Sequence, residues 1–185
     1  MEHLDALYAT LNAQSPALGR TRANQRIARL QALKKALRAH RSEAHAALRA
    51  DLNRAEPDTD LNELLPVTTS IDYVVGQLRR WMRPEKHGLP ITLIPGSAEV
   101  VYESKGAVLI VSPWNFPINL CLVPLVSAVA AGNTVALKPS DLSPATSAFL
   151  AKLIPTVFPP EEVVVVEGGV EVAKALIDHP WTHIF

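Results

Sequence analysis

The sequence predicts an α/β fold, a doubly wound parallel sheet preceded by N-terminal helices and a β-hairpin, and three observations carry that expectation. Residues 107–111 (AVLIV), 134–138 (TVALK) and 163–166 (VVVV) are short runs rich in β-branched residues. They lack the polar alternation of a strand wet on one face, so they read as strands covered on both faces. A helical stretch follows each run, and alternation of β and α is what parallel strands require of their connections. Residues 106–140 (GAVLIVSPWNFPINLCLVPLVSAVAAGNTVALKPS) form the clearest unit: a strand, a turn at 112–116, a helix opened by Pro117 and closed by Gly132-Asn133, and a second strand. Proline suits the first turn of a helix and Gly-Asn its end. The crossover joining the two strands is expected to be right-handed.

Taken in order, Leu4, Leu7, Tyr8 and Leu11 fall at helical spacing, and Ser15-Pro16-Ala17-Leu18-Gly19 breaks this first helix. A long helix begins at about Thr21, with Ile27, Leu30, Leu33, Leu37, Ala44 and Leu48 on its apolar stripe. Arg26, Arg29, Lys34, Lys35, Arg38 and Arg41 lie around that stripe as a solvated face. Residues 51–60 (DLNRAEPDTD) read as a polar connection, and a third helix spans about 62–82. Pro66 requires that helix to start near Asn62 or to kink. Residues 89–94 and 100–103 read as the two strands of an antiparallel hairpin about the Pro95-Gly96 turn, with edges that need covering. After the central unit, Ser143 caps a helix with Pro144 at its first position, running to about Val157. Glu167-Gly168-Gly169 turns into a short helix at 170–177, and residues 183–185 open a last strand. The expected divisions are a helical region at 1–88, the hairpin at 89–105 and the sheet at 106–185.

Hydrophobic residues make up 48% of the 185 residues and the formal net charge is zero, which suits a globular chain able to build a core. No nucleic-acid partner is expected, because there is no basic excess and no basic patch interleaved with aromatics. Residues 1–10 carry acidic side chains and no apolar run, unlike a signal peptide. No apolar run reaches the ~18 residues that a membrane span needs. The single cysteine, Cys121, excludes an internal disulfide and points to the cytoplasm. Within LCLVPLV it reads as a buried, inert thiol. His40 and His45 are off the i, i+4 zinc spacing and no HExxH occurs, so no metal site is expected.

Two polar residues stand at the carboxyl ends of predicted strands, the edge where open parallel sheets bind ligands. Asn115 follows the first strand; its amide fits either a helix cap or a donor to an oxygen on which negative charge develops. Lys138 ends the second; it either snorkels out of the core or offers its ammonium to ribose hydroxyls or a phosphate. Gly168 and Gly169, between a strand and a helix, leave backbone N–H groups open to an anion. No GxGxxG is present.

PWNFP followed by AAGNTVALKPSDLSP resembles the aldehyde dehydrogenase superfamily, close to its class 3 and coniferyl-aldehyde-type members, and the resemblance extends from about Arg20 onward. It implies that 106–185 is part of a Rossmann-like domain binding NAD or NADP, in a family that also lacks GxGxxG. It implies that Asn115 stabilises the substrate oxyanion and that Lys138, with Ser140 and Asp141 beside it, holds the adenosine ribose. Ile110, Val111, Ser112, Pro113 and Trp114 resemble the segment lining the nicotinamide and pyrophosphate, with Gly168 and Gly169 on the cofactor side. An acidic residue near the ribose favours NAD over NADP, but Asp141 is shorter than the family's usual glutamate, so both cofactors stay open. The hairpin resembles the family's subunit-association element, which implies a homodimer. The family's nucleophilic cysteine and general-base glutamate match nothing here. The chain therefore reads as the N-terminal portion of a dehydrogenase of aldehydes, a fragment inactive alone, the other reading being a non-catalytic nucleotide-binding or subunit-interaction module.

Overall fold

The computed structural model describes residues 2–185. The chain opens with α1 (Glu2–Gly19), which runs straight through Pro16 instead of breaking there. Pro16 has no N–H for the carbonyl of Asn12, and the Ser15 hydroxyl donates to that carbonyl instead, at 2.9 Å. The replaced bond removes much of the cost of proline inside a helix. The expected long helix is two, α2 (Ala23–Ala39) and α3 (Arg41–Leu52), divided at His40. There ψ turns to 20° and the ring Nδ1 takes a place 2.9 Å from the Ala36 carbonyl.

The expected polar connection shrinks to residues 53–55, where Asn53 closes α3 in the left-handed conformation (φ 50°). Helical structure resumes six residues earlier than expected, as α4 (Glu56–Thr59), a π turn (Asp60–Leu64) and α5 (Leu65–Trp81). Pro66 leaves the Asn62 carbonyl free within this run, and the Asn119 side-chain amide donates to it at 3.0 Å. Sequence spacing alone could not show this, because the partner lies in a distant helix.

The hairpin pairs β1 (Glu85–His87) with β2 (Ala98–Val100), not 89–94 with 100–103. Pro90 removes a backbone donor from the expected first strand, and a 3₁₀ turn (Ile91–Leu93) occupies it.

The sheet is as expected. Strands β3 (Ala107–Val111), β4 (Thr134–Lys138), β5 (Val163–Val165) and β6 (His183–Ile184) are parallel, in the order β5-β4-β3-β6. Helices α6 (Asn119–Ala131), α7 (Pro144–Leu153) and α8 (Val170–Ile177) connect them. Val108, Ile110, Val135, Leu137 and Val163 face a core shared with α6, α7, α2, α3 and α5. Ala107, Leu109 and Ala136 face a second core with α1, Leu176 of α8 and Trp181. Both faces are therefore covered, and the N-terminal helices provide much of the cover. No helix among the described residues is long and apolar enough to cross a membrane.

The basic residues expected to form a solvated face are in part structural. Arg26 is buried and donates to the carbonyls of Ala130 (3.0 Å) and Gly19 (2.8 Å). Arg29 forms a two-bond pair with Glu162 (2.7 and 2.5 Å), and Lys34 and Arg41 pair with Asp72 and Asp60. His45 is buried, with Nε2 2.8 Å from Asp60.

Gly132 ends α6 with φ +83°, and a Cβ there would meet the Arg26 guanidinium carbon at 2.5 Å. Gly132→Ala should therefore lower stability by about 2 kcal/mol, since it adds backbone strain to a steric conflict. Urea denaturation checks this; an unchanged midpoint would contradict the close approach.

Candidate active-site edge

Register brings the two loops of interest together. Val111 pairs with Lys138, so β3 and β4 end side by side and their loops leave the same edge of the sheet. The turn after β5 leaves that edge too, since β5 runs parallel beside β4. Asn115, Lys138, Asp141 and Gly168-Gly169 thus share the carboxyl rim, as the sequence predicted.

The individual side chains differ more. Ile110 is core and Val111 is half-buried. Ser112 is buried, and its hydroxyl finds no hydrogen-bond partner among the described residues. Pro113, Trp114 and Asn115 are exposed. No described group bonds the Asn115 amide; its backbone carbonyl accepts from Arg54 at 2.9 Å. The cap role for Asn115 is therefore overturned, because α6 begins beyond it, at Asn119.

Lys138 does not stretch out along the edge. It is 3% exposed, and its ammonium turns back to donate to the Pro139 carbonyl at 2.6 Å. Burial pushes its pKa down, while the charge of Asp141 works the other way. Asp141 is exposed and lies against the glycine turn, with its Oδ2 3.2 Å from where a Cβ on Gly169 would sit. Gly168 has φ +142°, and a Cβ there would come within 2.6 Å of Val172. Glycine is thus required at this turn for both conformation and space. Ser140 accepts the Leu142 N–H at 3.2 Å, fixing the bend of its loop.

Three residues that the sequence did not single out hold these loops. Glu63, fully buried in the π turn, accepts the N–H groups of Ile118 (3.1 Å) and Asn119 (2.8 Å) and pairs with Arg54. Burial pushes its pKa up, and the bonds from Asn119, Arg54 and Ile118 oppose that. Arg54 lies over the Phe116 ring, 4.8 Å from its centroid. Asp51 accepts from the N–H groups of Ala145 (3.0 Å) and Thr146 (2.7 Å) and from the Thr146 hydroxyl (2.7 Å). Asp51 thus does the work expected of Ser143, whose own side chain makes no capping bond. All three sit in or beside the polar connection read from the sequence. Only carboxylates in a stretch with no local helix to cap hinted at them. A depression of about 530 Å³, lined by Leu52, Asn53, Arg54, Asp58, Trp114 and Asn115 among others, opens on the Asn115 loop.

Cys121 is fully buried, and its thiol is pushed up to about 12 by that burial. It has no nucleophilic character at neutral pH. No cluster of three metal-ligating side chains occurs among the described residues.

An open parallel sheet with polar groups and a glycine turn gathered at its carboxyl edge defines a nucleotide-binding class of α/β domain. The chain belongs to the aldehyde dehydrogenase family, whose sequence profile matches residues 1–184. It is 44% identical over 146 residues to aldehyde dehydrogenase family 3 member H1 of Arabidopsis thaliana, covering 79% of this chain and 30% of that protein. It is 35% identical over 185 residues to a "Probable coniferyl aldehyde dehydrogenase" of Pseudomonas aeruginosa, covering 100% and 39%. Among solved structures, the substrate-bound state of Staphylococcus aureus AldH superposes with a TM-score of 0.94 at 29% identity, covering 98% of this chain and 40% of that one. The chain thus spans 30% to 39% of the length of the two curated relatives.

Two outcomes follow from this geometry. Asp51→Ala should cost about 1–2 kcal/mol in thermal or urea unfolding, the range for a lost N-terminal cap; no loss would mean that water replaces the carboxylate. Ellman's reagent should leave the native thiol untouched and titrate one thiol per chain after unfolding. Rapid labelling of the native chain would contradict the burial of Cys121.

Proposed function

We propose that these residues form the N-terminal, cofactor-binding part of an NAD(P)-dependent aldehyde dehydrogenase that converts an aldehyde to a carboxylic acid. The observation that carries the proposal is the exposed, unbonded amide of Asn115 on the same rim as Lys138 and the Gly168-Gly169 turn. Membership of the family supports it.

The residues present suit a nicotinamide dinucleotide. Lys138 offers a cation whose present partner is a single carbonyl, exchangeable for ribose hydroxyls. Asp141 places an acceptor beside the Gly168-Gly169 turn, which leads from the carboxyl end of β5 into α8. The unpartnered Ser112 hydroxyl and the Trp114 ring lie on the nicotinamide side in this reading. When bound, the cofactor supplies the acceptor for the aldehyde's hydride. Asn115 donates to the substrate oxygen as negative charge builds on it, a contribution worth ~10²–10³ in rate for one such donor.

Cys121 is fully buried, and in this proposal the attacking thiol and the general base belong to other parts of the complete enzyme. The chain by itself does not turn over. Homodimer formation and a cytoplasmic location belong to the same proposal. The exposed Ile91, Leu93, Ile94, Val101 and Tyr102 around the hairpin favour subunit association, which a non-catalytic module would retain.

Calorimetric titration of the chain with NAD and with NADP tests the cofactor assignment. Saturable binding of at least one is expected, weakened tenfold or more by Lys138→Ala; no heat with either would overturn it. In a full-length dehydrogenase carrying these residues, Asn115→Ala should lower kcat by ~10²–10³ with little change in cofactor KM.

A further inference from the structure

The geometry points to Arg54 and Glu63 as positioning residues for Asn115. This rests on the reading of Asn115 as the donor to the substrate oxygen. Such a donor must be held within about 0.5 Å of its productive place. Yet Pro113, Trp114 and Asn115 are exposed, and no described group bonds the amide that would do the work. Whatever order the amide has must reach it through its backbone.

That backbone is held at two points by one buried unit. Arg54 Nη2 donates to the Asn115 carbonyl at 2.9 Å, and its Nη1 pairs with Glu63. The second Glu63 oxygen accepts from Ile118 and Asn119 at 3.1 and 2.8 Å. A closed circuit results, from the Asn115 carbonyl through guanidinium and carboxylate to the amides three and four residues later. The Arg54 guanidinium also lies over Phe116 in the middle of that stretch. The Asn115 side chain itself is held by no bond among the described residues.

A cap alone would explain the bonds from Glu63 to the start of α6. It would not explain why the guanidinium that pairs with Glu63 also reaches outward to the Asn115 carbonyl. The Arg54 side chain is 13% exposed and that of Glu63 0%. A buried ion pair of this kind is a weak source of net stability, and its distinctive product here is a fixed geometry. Arg54 needs its planar fork for both contacts, so lysine at this position can keep the pair with Glu63 but not both bonds.

The test uses amide NMR of the 185-residue chain, with the Asn115 side-chain pair assigned by its loss in Asn115→Asp. In Arg54→Ala, the Asn115 side-chain and residue 114–117 backbone signals should shift and lose order. Hydrogen exchange at Ile118 and Asn119 should rise tenfold or more, while β3 and β4 signals stay in place. Arg54→Lys, which keeps the buried charge paired and so preserves folding, should give an intermediate change. Unchanged Asn115 signals and exchange in folded Arg54→Ala or Arg54→Lys would overturn the proposal. Changes spread equally over the sheet would also overturn it, since they would mark a merely structural pair. In a full-length enzyme carrying these residues, Arg54→Ala should lower kcat tenfold or more without a matching rise in cofactor KM, and Arg54→Lys should restore part of the loss. The two readings fail separately. A silent Asn115→Ala would sink the donor role while leaving the NMR result standing. An NMR-silent Arg54→Ala beside a damaging Asn115→Ala would sink only the positioning role.

Discussion

Helix α6 carries no charged residue of its own, yet it lies in the main core, and each of its ends draws a charged side chain from another element. A helix leaves four N–H groups unpaired at its start and four carbonyls at its end, and buried orphans are costly. Glu63 takes two of the first set, Ile118 and Asn119, and Arg26 one of the last, the Ala130 carbonyl, while the Gly132 and Asn133 N–H groups take the carbonyls of Val129 and Ala128. The signs agree with the helix dipole, an anion at the amino end and a cation at the carboxyl end. Gly132, with no side chain, leaves the room that the Arg26 guanidinium occupies. The remaining architecture depends on this arrangement, because α6 connects β3 to its neighbour β4 and its start carries the loop of Asn115.

It follows that the N-terminal helices are not an appendage to the sheet. α1 covers one face of it, while α2, α3 and α5 pack over the helices of the other. The polar residues of the short segment between α3 and α5 then reach the rim. Asp51 caps α7 beyond the Lys138 loop, and Arg54 and Glu63 grip the Asn115 loop. A single stretch of 13 residues, 51–63, thus holds both loops from below. The loops that do the proposed chemistry can remain exposed because their backbones are fixed by buried charges behind them.

Much of this was legible. The three apolar runs became parallel strands, Gly132 ended α6 in the left-handed conformation, and the polar groups assembled on one rim. These features depend on residues near one another in the chain. Much of what was not legible had a distant partner. Pro66 fits a continuous helical run because Asn119 takes the freed carbonyl. Ser143 loses the capping role to Asp51, which lies 94 residues before the Ala145 N–H from which it accepts. Arg26 reads as solvated by periodicity but lies buried on carbonyls of α1 and α6. Lys138 reads as reaching out along the rim but folds back onto the Pro139 carbonyl, buried at its strand end. Other differences were local: the substitute bond at Pro16 comes from the adjacent Ser15, and the break at His40 comes with its ring on the Ala36 carbonyl.

By itself the sequence determined the alternation of strand and helix, the places where the backbone needs glycine, and the motifs that place the chain in its family. Those follow from steric limits on φ and ψ and from burial of periodic apolar residues, both set over a few positions. Only the tertiary structure decided which charges are buried and which helix ends they satisfy. The energy of a buried carboxylate or guanidinium depends on the few ångströms around it, and those neighbours come from parts of the chain that no local pattern connects.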